Sequence, residues 1–173
     1  MPRIECVNKL GVLIDKPKRI KILVGGRSST KSTFICDYVL SRISKGERWC
    51  CGREFQNSID DSVLSMMSDE IERLEFDGFT ISKTDIYHAS GGKAFYRGLA
   101  RNITSLKGIS AHGLWIEEGE SLSEQTLKVL TASIRISAKA AHDSKIKGES
   151  LEVPEIWISM NRGSSADPIA GKF

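Results

Sequence analysis

IKILVGGRSSTKST, residues 20–33, is a short apolar run that breaks at Gly25-Gly26 and closes on Lys31-Ser32. Ile20, Ile22, Leu23 and Val24 read as a buried strand, and residues 32–44 read as the helix that follows it. Strand, glycine turn, Lys-Ser and helix make the outline of a phosphate-binding loop, G-x-x-x-x-G-K-[ST]. Gly25, Lys31 and Ser32 fit that pattern, while Thr30 stands where its last glycine belongs. Gly26, Arg27, Ser28, Ser29, Thr30, Lys31, Ser32 and Thr33 would turn backbone N–H groups toward phosphate oxygens, with a helix N-terminus behind them. The lysine of such a loop reaches the β- and γ-phosphates, and the hydroxyl after it ligates Mg2+. The chain therefore reads as a nucleotide user.

A second element supports this. GLWIEEGE, residues 113–120, is an apolar strand ending in two acids. In that layout one carboxylate reaches the Mg2+ shell and the next polarises an attacking water. Glu117 is then the metal-side acid and Glu118 the base. Glu117 is one methylene longer than the usual Asp, so water could lie between it and the metal. Glu120 reads as charge at the start of a helix. Asn161 closes the strand EIWISM, where a carboxamide could bond both a γ-phosphate and the lytic water; a turn asparagine bonding its own backbone is the alternative.

Bulk properties set the frame. The chain has 173 residues, 40% of them hydrophobic and 27% charged, with a net charge of +3. That is one ordinary domain with enough chain for a real core. No apolar run approaches the roughly 20 residues of a membrane span, and Met1 opens no secretory signal. The mild basic balance permits nucleic-acid contact without arguing for it. Cys6, Cys36, Cys50 and Cys51 lack metal or disulfide spacing, because neighbours on a strand face opposite sides. They are expected as reduced, buried thiols. His88, His112 and His142 have no partners at ligand spacing. Trp49, Trp115 and Trp157 read as core packing rather than base stacking.

The remaining elements alternate. A short strand at 48–51 is followed by an amphipathic helix at 58–76, with Ile59, Val63, Met66, Met67, Ile71 and Leu74 at helical spacing. Extended segments at 80–82, 86–89 and 94–96 form ribbons around the turn Ser90-Gly91-Gly92. Ser123 caps a helix running to about residue 134. Strands separated by helices predict a mostly parallel sheet with ligands at the strands' carboxyl ends. Residues 137–152 read as a polar surface loop.

Taken in order, these segments resemble the ATPase domain of bacteriophage terminase large subunits, the DNA-packaging motors of tailed phages. The resemblance is carried by GGRSSTKS, CCGREFQNSIDDSV, AFYRGLARNITSLKGI, LWIEEGESLSEQTLKVLTASIR and WISMNRGSSADPI, and covers nearly the whole chain. It implies an α/β P-loop NTPase fold of the ASCE, RecA-like kind, with a mostly parallel sheet, flanking helices and an added β ribbon. It implies hydrolysis of ATP with Mg2+ to drive double-stranded DNA into a procapsid. The implied partners are a portal protein, a small terminase subunit and further copies in a ring, in the host-cell cytoplasm and transiently on the procapsid.

The resemblance makes Arg27 a γ-phosphate contact in cis, with a surface arginine on a tight turn as the alternative. Arg97, Arg101 and Arg135 become candidates for a finger supplied by a neighbouring subunit. Arg53 reads as a structural or phosphate-side residue. The family's carboxyl-terminal nuclease domain has no counterpart in these residues, so no DNA cleavage is expected of them, and the lone domain is expected to be a weak, monomeric ATPase. Three departures stand out. A β-branched Thr30 is expected at φ < 0, which would hold backbone away from phosphate. Arg162 replaces the family's proline, and residues 137–152 exceed a short link. The residues alone also admit another P-loop motor such as a helicase, or a nucleotide-binding module with little hydrolysis.

Overall fold

The computed structural model describes residues 8–15, 18–53, 59–99, 108–136 and 153–161. The loop strand is β1 (Ile20–Val24), followed by α2 (Lys31–Ile43) after a short helix α1 (Asn8–Asp15) that the sequence reading leaves unassigned. Then come β2 (Arg48–Arg53), α3 (Ile59–Arg73), β3 (Phe79–Ile81), β4 (Asp85–His88) and β5 (Lys93–Gly98). The last elements are β6 (Gly113–Ile116), a 3-10 turn (Gly119–Ser121), α4 (Glu124–Ser133) and β7 (Glu155–Met160).

These strands form one seven-stranded sheet in the order β1-β7-β6-β2-β5-β4-β3. The first five are parallel, and β4 and β3 add an antiparallel ribbon. The fold is thus the mostly parallel α/β architecture expected. Parallel pairing brings the carboxyl ends Val24, Met160, Ile116, Arg53 and Gly98 to one edge. The last strand in sequence, β7, is inserted between the loop strand β1 and the acid strand β6. Asn161, the residue after β7, therefore falls between the phosphate loop and the acid pair.

Alternation along each strand splits the core. Leu23, Trp49, Cys51, Tyr96, Trp115 and Trp157 join α2 and α3 in one cluster. Cys50, Phe95, Leu114, Ile116, Ile156, Ile158 and Met160 join α4 in the other. Cys50 and Cys51 face opposite sides as expected, and Cys36, Cys50 and Cys51 are free and buried. Burial pushes the Cys50 thiol up to about 12 and raises Cys36 and Cys51 well above the usual value, so none is a ready nucleophile.

All three tryptophans are at most 1% exposed, which rules out base stacking in this fold. Tyr38 of α2 packs edge-on to Trp49 and tilts over Trp157 at 4.7 Å. Such a ring removed to Ala costs about 3–5 kcal/mol. Gly113 is required by the same packing, since a Cβ there would lie 2.4 Å from the Trp49 ring. Lys21, only 3% exposed, ties β1 to β7 through Glu155 at 3.0 Å. Tyr38 Oη and Trp157 Nε1 donate to the other Glu155 oxygen, so the buried charge pair is hydrogen-bonded as well. No described helix is long and apolar enough to cross a membrane.

Candidate phosphate site

After Val24 the chain stays beside β7 for one more residue, with Gly25 N–H donating to the Met160 carbonyl at 3.2 Å. It then turns through Ser28 and Thr30, both at φ 59°. This corrects the expectation for Thr30: it takes the left-handed conformation that the replaced glycine would take. A left-handed L-residue costs about 1–2 kcal/mol, partly offset by Thr30 Oγ1 donating to the Ser29 carbonyl at 2.7 Å. The loop is tight, because a Cβ on Gly25 would sit 2.7 Å from Ser29 Oγ. Thr30 caps α2 without a side-chain hydrogen bond. The first amides of this 13-residue helix are thus left to an anion, which the helix dipole also favours.

Lys31 opens α2, and its ammonium folds back over the loop. Nζ donates to the Gly26 carbonyl and to Asn161 Oδ1, each at 3.1 Å. One residue on, Ser32 Oγ donates to Glu117 Oε1 at 2.7 Å. Ser159 Oγ donates to the other Glu117 oxygen, and Trp115 Nε1 donates to Ser159 Oγ in turn, at 3.2 Å. Ser159 is fully buried on β7. Glu117 is thereby held from two elements, with its carboxylate against the start of α2.

Glu118 leaves the sheet at φ 55°, starting the 3-10 turn. Its half-exposed carboxylate forms an ion pair with Arg53, whose side chain is 11% exposed at the end of β2. Arg53 is therefore a partner of the acid pair. Glu120 stands at a helix entry as its reading has it, and it makes a further contact. It lies in the first turn of the 3-10 segment, yet its carboxylate accepts both Asn161 N–H at 3.1 Å and Asn161 Nδ2–H at 2.7 Å.

A cleft of about 230 Å³ brings together Arg27, Ser28, Lys31, Glu117, Glu118 and Asn161, with Ser159 and Met160. That is below the about 300 Å³ at which whole-ligand pockets begin, and suits a phosphate tail better than a complete nucleotide. Arg27 is exposed at its border. Gly25, Gly26, Ser29, Thr30, Ser32 and Thr33 build the loop and helix start behind it. A divalent cation fits this donor set. Mg2+ keeps several waters and takes one or two protein oxygens beside substrate phosphates, and Ser32 and Glu117 supply a hydroxyl and a carboxylate already in contact. Among the described residues there is no cluster of three or more His, Cys, Asp or Glu that would form an all-protein metal cage.

The finger candidates separate. Arg97 stands near the carboxyl end of β5, on the same edge as the cleft, with Nη1 donating to the Tyr96 carbonyl at 2.8 Å. Arg135 bridges Ser110 ahead of β6, at the opposite edge. Arg101, Arg162, His142, Cys6 and residues 137–152 lie outside the described residues. His88 bonds Ser90 and the Asp77 carbonyl, and His112 Nδ1 accepts the Arg48 N–H, which are local structural roles.

The family model for the phage terminase large subunit matches residues 17–161. The chain belongs to this family. The terminase match spans every group of the cleft, from the loop to Asn161. Solved structures share the fold at low identity. The N-terminal domain of the DNA packaging ATPase from bacteriophage phi29 matches at TM-score 0.66 and 13% identity, over 94% of this chain and 82% of that one. The large terminase of a thermophilic bacteriophage in complex with ADP matches at 0.65 and 12%, over 93% and 37%. The HK97 bacteriophage large terminase matches at 0.59 and 14%, over 88% and 31%. The chain thus spans less than two fifths of the length of these large terminases. Comparison with curated proteins finds no match.

Ser159 and the contacts of Glu120 with Asn161 and of Arg53 with Glu118 are the parts of this candidate site that sequence reading missed. Each is a contact across at least 41 residues or between strand ends. The one available signal was their position beside recognised motifs at strand termini.

Proposed function

We propose that this chain is the ATP-hydrolysing motor domain of a phage large terminase, which couples ATP hydrolysis to movement of double-stranded DNA into a procapsid. The observation that carries the reading is the Ser32–Glu117 hydrogen bond at 2.7 Å beside Lys31. It joins the phosphate loop to the acid strand across a sheet that places another strand between them. Lys31 and the loop amides would hold the β- and γ-phosphates, and Arg27 would add charge at the γ end. Mg2+ held by Ser32 and Glu117 would neutralise the phosphate oxygens. Glu118 would accept the proton of the water that attacks the γ-phosphorus, as the bond to the bridging oxygen breaks and ADP departs.

The motor would act as a ring on the procapsid, in the host-cell cytoplasm, with a portal protein and a small terminase subunit as partners. Arg97 suits a trans finger by its place on the cleft edge. The ADP of the thermophilic phage enzyme supports nucleotide binding at this fold. The test is Mg2+-dependent release of phosphate from ATP by the 173-residue chain, alone and with procapsids bearing portal. Slow turnover alone and faster turnover with procapsids is expected. Tight binding of ATP with no turnover in either condition would favour a nucleotide-binding module. Strand separation of duplex DNA would favour a helicase.

A further inference from the structure

Asn161 sits between two groups of fixed polarity. The Lys31 ammonium can only donate, and the ionised Glu120 carboxylate can only accept. Lys31 Nζ lies 3.1 Å from Oδ1, and Glu120 Oε1 lies 2.7 Å from Nδ2. The second Glu120 oxygen takes the Asn161 backbone N–H at 3.1 Å, so the carboxylate grips residue 161 at two points. Flipping the amide would set an NH2 against an ammonium and a carbonyl against a carboxylate. Chemistry, rather than crowding, fixes which end of the amide faces the cleft.

We propose that Glu120 is a positioning residue that fixes the Asn161 amide with Oδ1 aimed as a hydrogen-bond acceptor toward the phosphate site. With one Nδ2–H held by Glu120, the amide cannot flip, and Oδ1 stays the end held toward Lys31. The partners of that oxygen are donors: Lys31 without nucleotide, and an attacking water once phosphate draws the ammonium away. Glu120 also lies two residues after Glu118 in the same 3-10 turn. The clamp therefore ties the water-facing oxygen of Asn161 to the backbone that carries the base. A water polarised by Glu118 and accepted by Asn161 would be oriented by one rigid unit.

The proposal rests on the ATP-hydrolase reading, and two readouts keep their failures apart. The first needs no turnover: solvent exchange of the Asn161 side-chain NH2 protons, measured by NMR on the nucleotide-free chain. Glu120→Ala should speed that exchange about tenfold, as expected for losing a charge-assisted bond worth about 1.4 kcal/mol. The second is ATP hydrolysis. Glu120→Ala should lower kcat about tenfold and leave KM within about threefold. The double variant Glu120→Ala/Asn161→Ala should be no more than about twofold slower than Asn161→Ala, because the two act as one unit.

Glu120→Gln replaces one of the two accepting oxygens with an NH2 that cannot accept, so it should show the same pattern in weaker form. It carries the test if the alanine variant does not fold. Unchanged exchange, or losses that multiply in the double variant, would overturn the proposal. Exchange that depends on Glu120 in a chain without turnover would sink the hydrolase reading and leave the clamp standing.

Discussion

Thr30 at φ 59° makes a quantitative claim about the loop. Holding an L-residue in the left-handed region costs about 1–2 kcal/mol. The exposed bond from Thr30 Oγ1 to the Ser29 carbonyl returns about 0.5 kcal/mol, the low end for such bonds. Thr30→Gly removes the strain, loses that bond, and adds about 0.5–1 kcal/mol of unfolded-chain entropy. The net lies between a loss of about 0.5 and a gain of about 1 kcal/mol. Thr30→Val keeps the shape and the strain and loses only the bond, so it should be about 0.5 kcal/mol less stable than wild type. Urea unfolding of the three proteins reads the differences directly, and melting should move by about 2–4 °C per kcal/mol at this size. The strain precedes nucleotide, so ATP affinity by calorimetry should stay within about threefold. A Thr30→Gly protein more than about 1 kcal/mol less stable than wild type would refute the left-handed assignment. So would a Thr30→Val protein more stable than Thr30→Gly.

Three further outcomes follow from the same structure. Asp37, 3% exposed on α2, has its carboxyl raised from 3.8 to about 7, by burial first and then by hydrogen bonding and repulsion from Glu70, with Arg73 opposing at 3.0 Å. The folded state then holds the proton more tightly, so this stabilisation is full below about pH 4 and is lost as pH rises through about 7. Asp37→Asn imitates the protonated form and should flatten the loss between those limits, by up to a few kcal/mol in urea titrations at pH 5 and 8; a parallel pH dependence in the variant would contradict this. Gly113→Ala drives a Cβ into the Trp49 ring and should cost about 1–3 kcal/mol, seen as a melting point lower by several degrees. Ser159→Ala frees one oxygen of Glu117, and the Mg2+ concentration for half-maximal turnover should rise about tenfold, as for other partners of metal ligands.

Much of the fold was legible because local signals agreed. The Ile20–Val24 run, the Ser123 cap, whose Oγ accepts the Thr126 N–H, and the strand Glu155–Met160 all stand where periodicity and capping place them. The order of strands was not legible, since nothing local states that the last strand slips between the first and the sixth. The site divides the same way. Lys31, Ser32, Glu117 and Asn161 could be named because motif spacing reports them, and the fold gathers them at one edge. Glu120 and Ser159 depend on which strand lies beside which, so their roles became readable only with that order. Thr30 misled for another reason: β-branched residues disfavour positive φ on average, and the loop overrides that average.

The central claim is that a triphosphate held by Lys31 and the loop meets a base at Glu118. Glu118→Gln tests it most directly, because it keeps shape and removes the proton acceptor. Phosphate release with Mg2+ and procapsids should fall at least about 100-fold, while ATP affinity changes by no more than about threefold. A Glu118→Gln protein that hydrolyses ATP within about threefold of wild type would contradict the account.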